Sequence, residues 1–117
     1  MNKVIGSDKF GHLKDVACAH QIVASTDSLG FYMLGEAMPA ALRFVKPFFD
    51  RRAPVLVHCY GGINRSVFVA VALLMLLDNM TLTNALRAVA AKRGRVLTNR
   101  SFRAQLLEVS AMTERLE

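Results

Sequence analysis

The run His58-Cys59-Tyr60-Gly61-Gly62-Ile63-Asn64-Arg65-Ser66 holds a thiol, two glycines, a guanidinium and a hydroxyl within nine residues. A thiolate is a strong nucleophile, and an arginine fork matches two oxygens of a phosphate in paired geometry. Gly61 and Gly62 can adopt backbone angles closed to other residues and leave room for backbone N–H groups to converge on an anion. Ser66 places a hydroxyl where it can stabilise the sulfur as a leaving group. Together these residues suit attack by Cys59 on a phosphate ester, with the loop Tyr60, Gly61, Gly62, Ile63 and Asn64 as cradle and Arg65 as clamp.

Such a set works only if the backbone presents it correctly. Pro54 followed by Val55-Leu56-Val57 reads as the start of a short buried strand, and Val67 to Leu77 is apolar without a break. The latter is shorter than the roughly 20 apolar residues needed to span a bilayer, so it is expected to be a helix buried on most sides. The order strand, glycine loop, helix aims N–H groups and the positive end of the helix dipole at one point. Cys59 opens that loop, and thiol pKa values at such places fall to about 3.5–7.5.

His-Cys, five residues, then Arg-Ser resembles the signature of the cysteine-based protein tyrosine phosphatases, and the flanking sequence is most similar to their dual-specificity branch. The resemblance implies an α/β fold: a twisted, mostly parallel central sheet flanked by helices. It implies hydrolysis of phosphotyrosine and phosphoserine or phosphothreonine in proteins through a phosphocysteine intermediate, without a cofactor or metal. His58 would support the loop.

A poor alkoxide or phenolate leaving group needs a proton donor, usually a carboxylic acid. In the dual-specificity family it lies on a loop about thirty residues before the Cys, and Asp27 stands 32 residues before Cys59. Asp27 is thereby the candidate general acid. It follows Ala19 to Ala24, whose alternation suits a strand, and Ser25, Thr26, Ser28 and Gly30 give the composition of a loop. A helix N-cap is the other use of an Asp at this place. Asp15 and Asp50 are the remaining upstream carboxylates, and Asp50 beside Arg51 and Arg52 reads as solvated surface.

Between Leu29 and Phe49 the apolar spacing predicts a helix, with Pro39 and Pro47 predicting an irregular start or a kink. Thr81 to Arg93 reads as an amphipathic helix stopped by Gly94. The segment from Arg95 through Asn99 to Phe102, Gln105 and Leu106 resembles the family's connection between its last two helices, with Thr98 where the family has Pro. Asn99 remains able to hydrogen-bond locally or to brace the phosphate loop. Phe102, Leu106 and Val109 are expected in the core.

The resemblance begins near Ala19, whereas the family's catalytic domain starts well upstream. Residues 19–117 are thus read as the catalytic domain, and residues 1–18, polar and Gly-containing around Gly6 to Lys14, as a segment with the composition of poor order. N-terminal strands would be reduced or missing. The sheet would then keep an exposed edge, through which a homodimer could form.

A chain of 117 residues with 53% hydrophobic content can bury one core. Two cysteines fit a reducing compartment better than a disulfide scaffold, and Cys18 reads as a small buried hydrophobe. No signal-peptide core is visible at the start, so cytoplasm or nucleus is expected and a membrane is not. The net charge of +6, with Arg87, Lys92, Arg93, Arg95, Arg100 and Arg103 in the last third, would attract anionic substrates. Nucleic acid is disfavoured as a partner, because no binding motif accompanies these charges.

Other readings use the same residues. A phosphate-binding pseudophosphatase would retain the cradle as an interaction module, though keeping Cys59 argues for catalysis. RNA 5′-triphosphatases of the superfamily share Asn before Arg but usually continue Thr-Gly, where this chain has Ser66-Val67. Another non-protein phosphate is a further alternative, but the phosphoinositide-directed members tend to carry basic residues inside the loop and this one has none. A metal site from Cys18, His20, His58 and Cys59 lacks the usual zinc spacing.

Overall fold

A computed structural model of the chain describes residues 2–5, 19, 21–61, 63–93 and 96–113. Its elements are β1 (Asn2–Ile5), α1 (Met33–Glu36), α2 (Met38–Asp50), β2 (Val55–Val57), α3 (Arg65–Leu77), α4 (Leu82–Arg93) and α5 (Arg100–Thr113). Among the described residues, β1 and β2 form a two-stranded parallel sheet. Its register pairs Asn2 with Val55, Lys3 with Leu56 and Ile5 with Val57, shifting between Lys3 and Ile5.

The first part of the chain departs from its local sequence signals in two places. Asn2–Ile5 is a strand, although the polar Asn2 and Lys3 give it no periodic signal; its partner is distant in sequence. Conversely, Ala19 and Gln21 to Ala24 are not in a strand. The alternation there is real in burial, with Ile22 exposed and Val23 buried, but one anchored side chain positions a loop without any ladder. The rest of the 1–18 segment, including Asp15 and Cys18, lies outside the described residues, as do His20 and the stop signal at Gly94.

The helices follow their sequence patterns closely. α3 buries Val67, Phe68, Val69, Val71, Ala72, Leu73 and Met75, so nearly every face meets another element. It touches α2, α4, α5 and β2, and Phe68 meets Phe102 of α5 edge-on at 5.6 Å between ring centroids. Such an aromatic pair adds about 0.5–1.5 kcal/mol beyond burial. The irregular start before α2 is a break at Ala37, after which Pro39 occupies the first turn, where its missing N–H costs nothing. Pro47 falls within the later part of the helix.

α2 ends in a Schellman motif: Arg52 N–H donates to the Phe49 carbonyl and Ala53 N–H to the Phe48 carbonyl, both at 2.9 Å. Arg52 holds the left-handed position with φ 59°, where glycine is usual. Asp50, on the same turn, is paired with Lys46 at 2.9 Å on the exposed surface, as the sequence suggested. Thr81 caps α4 by accepting the Asn84 N–H at 3.2 Å. In α5, Phe102, Leu106 and Val109 are buried, as expected of core positions.

Candidate active site

β2 ends two residues before Cys59, and α3 begins at Arg65, so the intervening loop is the turn from strand into helix. Cys59 is buried, and its sulfur is met from the helix side: Ser66 N–H donates to Sγ at 3.4 Å. The Ser66 hydroxyl lies 3.3 Å from Sγ and accepts from the thiol. In the thiolate that direction reverses, and both the N–H and the O–H of Ser66 point at negative sulfur. His58 is buried, whereas Tyr60 and Ile63 are exposed. A Cβ at Gly61 would meet no atom within 4 Å apart from its chain neighbours, so the space beside that residue is open. Gly62 lies outside the described residues.

Arg65 is half-buried, and its Nη1 donates to the Ser25 carbonyl at 3.3 Å. A guanidinium has five N–H donors, so this bond leaves most of the fork available to an anion. Ser25 stands two residues before Asp27, and the same segment is gripped again at Asp27. Asn64 Nδ2 donates to Asp27 Oδ2 and Asn99 Nδ2 donates to Asp27 Oδ1, each at 2.8 Å. Asn99 Nδ2 also reaches the Ser28 carbonyl at 3.1 Å. Hydrogen bonds thus join the candidate clamp and its neighbour Asn64 to the segment of the candidate acid, while Ser66, next in sequence, meets the nucleophile.

Asn99 does more than the sequence indicated. Its Oδ1 accepts the Phe102 N–H at 3.1 Å and caps α5, while its own N–H donates to Asn64 Oδ1 at 3.0 Å. Beside it, Leu97 N–H donates to the Ile63 carbonyl at 2.8 Å, with Leu97 held at φ 58°. A left-handed non-glycine residue costs about 1–2 kcal/mol. The strain falls where the last connection is fastened to the phosphate loop.

Gln105 is a residue whose part here sequence reasoning missed. Its Nε2 donates to the Phe31 carbonyl at 2.9 Å and its Oε1 accepts the Leu34 N–H at 3.2 Å, fixing the far end of the Asp27 loop where α1 begins. The available signal was an amide on the otherwise apolar stripe Phe102, Leu106 and Val109. Of the basic residues in the last third, Arg87, Arg100 and Arg103 are exposed; Arg95 and the side chains of Lys92 and Arg93 lie outside the described residues. Among the described residues, no helix is long and apolar enough to cross a membrane.

The family model described as dual specificity phosphatase, catalytic domain, matches residues 31–112. The chain belongs to the dual specificity phosphatase family. The matched span contains Cys59, Arg65, Ser66 and Asn99, and it begins after Asp27. Human dual specificity protein phosphatase 7 is 39% identical over 75 residues, which is 64% of this chain and 18% of that protein. The chain thus spans about a fifth of the length of this curated relative.

Solved structures agree on the dual specificity phosphatase fold. Human DUSP28 superposes with a TM-score of 0.75 at 22% identity, covering 82% of this chain and 64% of that one. A leucine rich repeat and phosphatase domain containing protein from Entamoeba histolytica gives 0.72 at 18% identity, covering 98% and 90%.

Proposed function

We propose that the chain hydrolyses phosphotyrosine and phosphoserine or phosphothreonine in proteins through a phosphocysteine intermediate. The observation that carries this reading is the sulfur of Cys59 at the mouth of a strand-to-helix turn, faced by the N–H and hydroxyl of Ser66. Family membership supplies the reaction class.

In the first step the Cys59 thiolate attacks phosphorus while Arg65 and the N–H groups of the loop hold the phosphoryl oxygens. Asp27, as carboxylic acid, protonates the departing phenolate or alkoxide. In the second step Asp27, now a carboxylate, takes a proton from the attacking water, and the sulfur leaves as a thiolate stabilised by Ser66. The loop residues Tyr60, Gly61, Gly62, Ile63 and Asn64 form the cradle, and His58 and Asn99 support it.

The catalytic unit is read as residues 19–117 together with β1, which pairs with the strand leading to Cys59. Cytoplasm or nucleus is the proposed setting, because the chemistry requires reduced sulfur. A homodimer through the sheet edge and the disfavouring of nucleic acid as partner stand as parts of the same reading.

The test is a panel of phosphopeptides, phosphoinositides and 5′-triphosphorylated RNA assayed with wild type and Cys59→Ser. Turnover of phosphopeptides by wild type, abolished in Cys59→Ser with vanadate binding retained, is expected. Binding without turnover by wild type would instead mark an interaction module, and turnover of RNA alone would move the substrate class.

A further inference from the structure

We infer that Asn64 is a positioning residue whose side-chain amide fastens the general acid to the phosphate loop; this rests on the phosphatase reading above. Asn64 occupies the N-cap of α3, a place where an Asn side chain ordinarily accepts an N–H of the first helical turn. Here it makes no such cap. Its Oδ1 instead accepts the Asn99 N–H at 3.0 Å and the Thr98 hydroxyl at 3.3 Å. Its Nδ2 donates to Asp27 Oδ2 at 2.8 Å and to Thr98 Oγ1 at 3.2 Å.

The orientation of this amide is determined by chemistry. A backbone N–H can only donate, so the Asn64 atom facing the Asn99 N–H must be the oxygen, and the NH₂ group must then face Asp27. The same reasoning fixes Asn99, whose Oδ1 faces the Phe102 N–H and whose NH₂ must therefore face Asp27 Oδ1. Both oxygens of the acid are held by amides whose direction is set by the backbone. Each carboxyl oxygen has two lone-pair sites, so one remains for a proton in transit.

Asn64 is also 8% exposed and adjacent to Arg65, so the partly buried contact reaches the exposed Asp27 from a sheltered amide attached to the clamp. Diverting its side chain leaves the first N–H groups of α3 uncapped by it, and one of them, that of Ser66, donates to the Cys59 sulfur. One residue thus serves two ends: it keeps the anion cradle open and sets the distance between cradle and acid. Thr98 takes part through a hydroxyl that a proline would lack.

The test measures kcat/KM for Asn64→Ala, Asp27→Asn and the double variant on phosphotyrosine and on dinitrophenyl phosphate, whose leaving group needs no proton. Vanadate inhibition reports on the cradle. Asn64→Ala should lose about 10- to 100-fold more on phosphotyrosine, the scale of a misplaced catalytic group, than on dinitrophenyl phosphate or in vanadate affinity. In the Asp27→Asn background the added loss should vanish.

Equal loss on both substrates, or an undiminished loss in that background, would overturn the inference while leaving the phosphatase reading intact. A wild type inactive on every phosphate ester would overturn both. Should Asn64→Ala not fold, Asn64→Asp decides: it keeps the oxygen that Asn99 requires but sets a carboxylate against Asp27, and like charge holds an acid protonated to higher pH. The alkaline limb of kcat/KM should move up in pH, and an unmoved limb would overturn the inference.

Discussion

The Arg65 guanidinium donates to the carbonyl of Ser25, 40 residues earlier in the chain, at 3.3 Å. The group proposed to clamp phosphate therefore also ties down the segment that carries Asp27. Arg65→Lys should weaken both functions at once, since an ammonium is a point charge without a paired fork. Charge-assisted bonds contribute about 1.5–3 kcal/mol each, so phosphate affinity and kcat should each fall by at least about 10-fold. Competitive inhibition by inorganic phosphate and steady-state kinetics check this. Wild-type values in both would remove Arg65 from the site.

Ser66→Ala should separate the two chemical steps. Its hydroxyl serves the departing thiolate, so attack on substrate should proceed while hydrolysis of phosphocysteine slows by about 10- to 100-fold, the worth of one hydrogen bond to a charge. Rapid-quench kinetics should show a burst of phenol followed by slow turnover, with phosphate recovered on Cys59. A loss of kcat without a burst would place the defect before the intermediate.

Cys59 must be deprotonated and Asp27 protonated for the first step, so kcat/KM against pH should be bell-shaped. Deprotonation of Asp27 sets the descending alkaline limb, and Asp27→Asn should remove it. The variant should lose about 10²–10⁴-fold on phosphotyrosine and much less on aryl phosphates with activated leaving groups. A uniform loss across leaving groups would point to binding or folding. If Asp15→Asn flattened the limb instead, the acid would have been misassigned.

The left-handed Arg52 at the end of α2 offers a test of stability apart from the site. Its side chain is exposed, so Arg52→Gly removes the backbone penalty of about 1–2 kcal/mol and returns part of it as unfolded-state entropy. A net gain of about 0.5–1 kcal/mol is expected, seen as a rise in Tm of a few degrees with activity unchanged. A fall in Tm would mean that the Arg52 side chain makes contacts that outweigh its backbone angle.

What could be read in the sequence is what neighbouring residues determine together. Cys59, Arg65 and Ser66 share one loop, and the apolar run after them has only one economical use as a buried helix, so both were visible at once. The contacts that unite the site span far longer separations: Asn64 reaches Asp27 and Asn99 reaches both. Adjacency alone places Asn64 in the cradle, and nothing local says which way its amide side chain turns. β1 has no local signal, since a four-residue strand with two polar members is created by its partner, and the alternation of Ile22 and Val23 is ambiguous because one buried side chain gives the same pattern as a ladder.

The parallel pairing of Asn2–Ile5 with Val55–Val57 has a consequence during synthesis. The first strand emerges about fifty residues ahead of its partner, which at roughly 5–20 residues per second is a wait of about 3–10 s. Closing so long a loop also comes at an entropic cost, which contacts of α2 with both strands and of α3 with β2 offset. The edge of β2 leading to the nucleophile is therefore completed by a strand made earlier, and the order of translation makes that strand available before the segment it must complete exists.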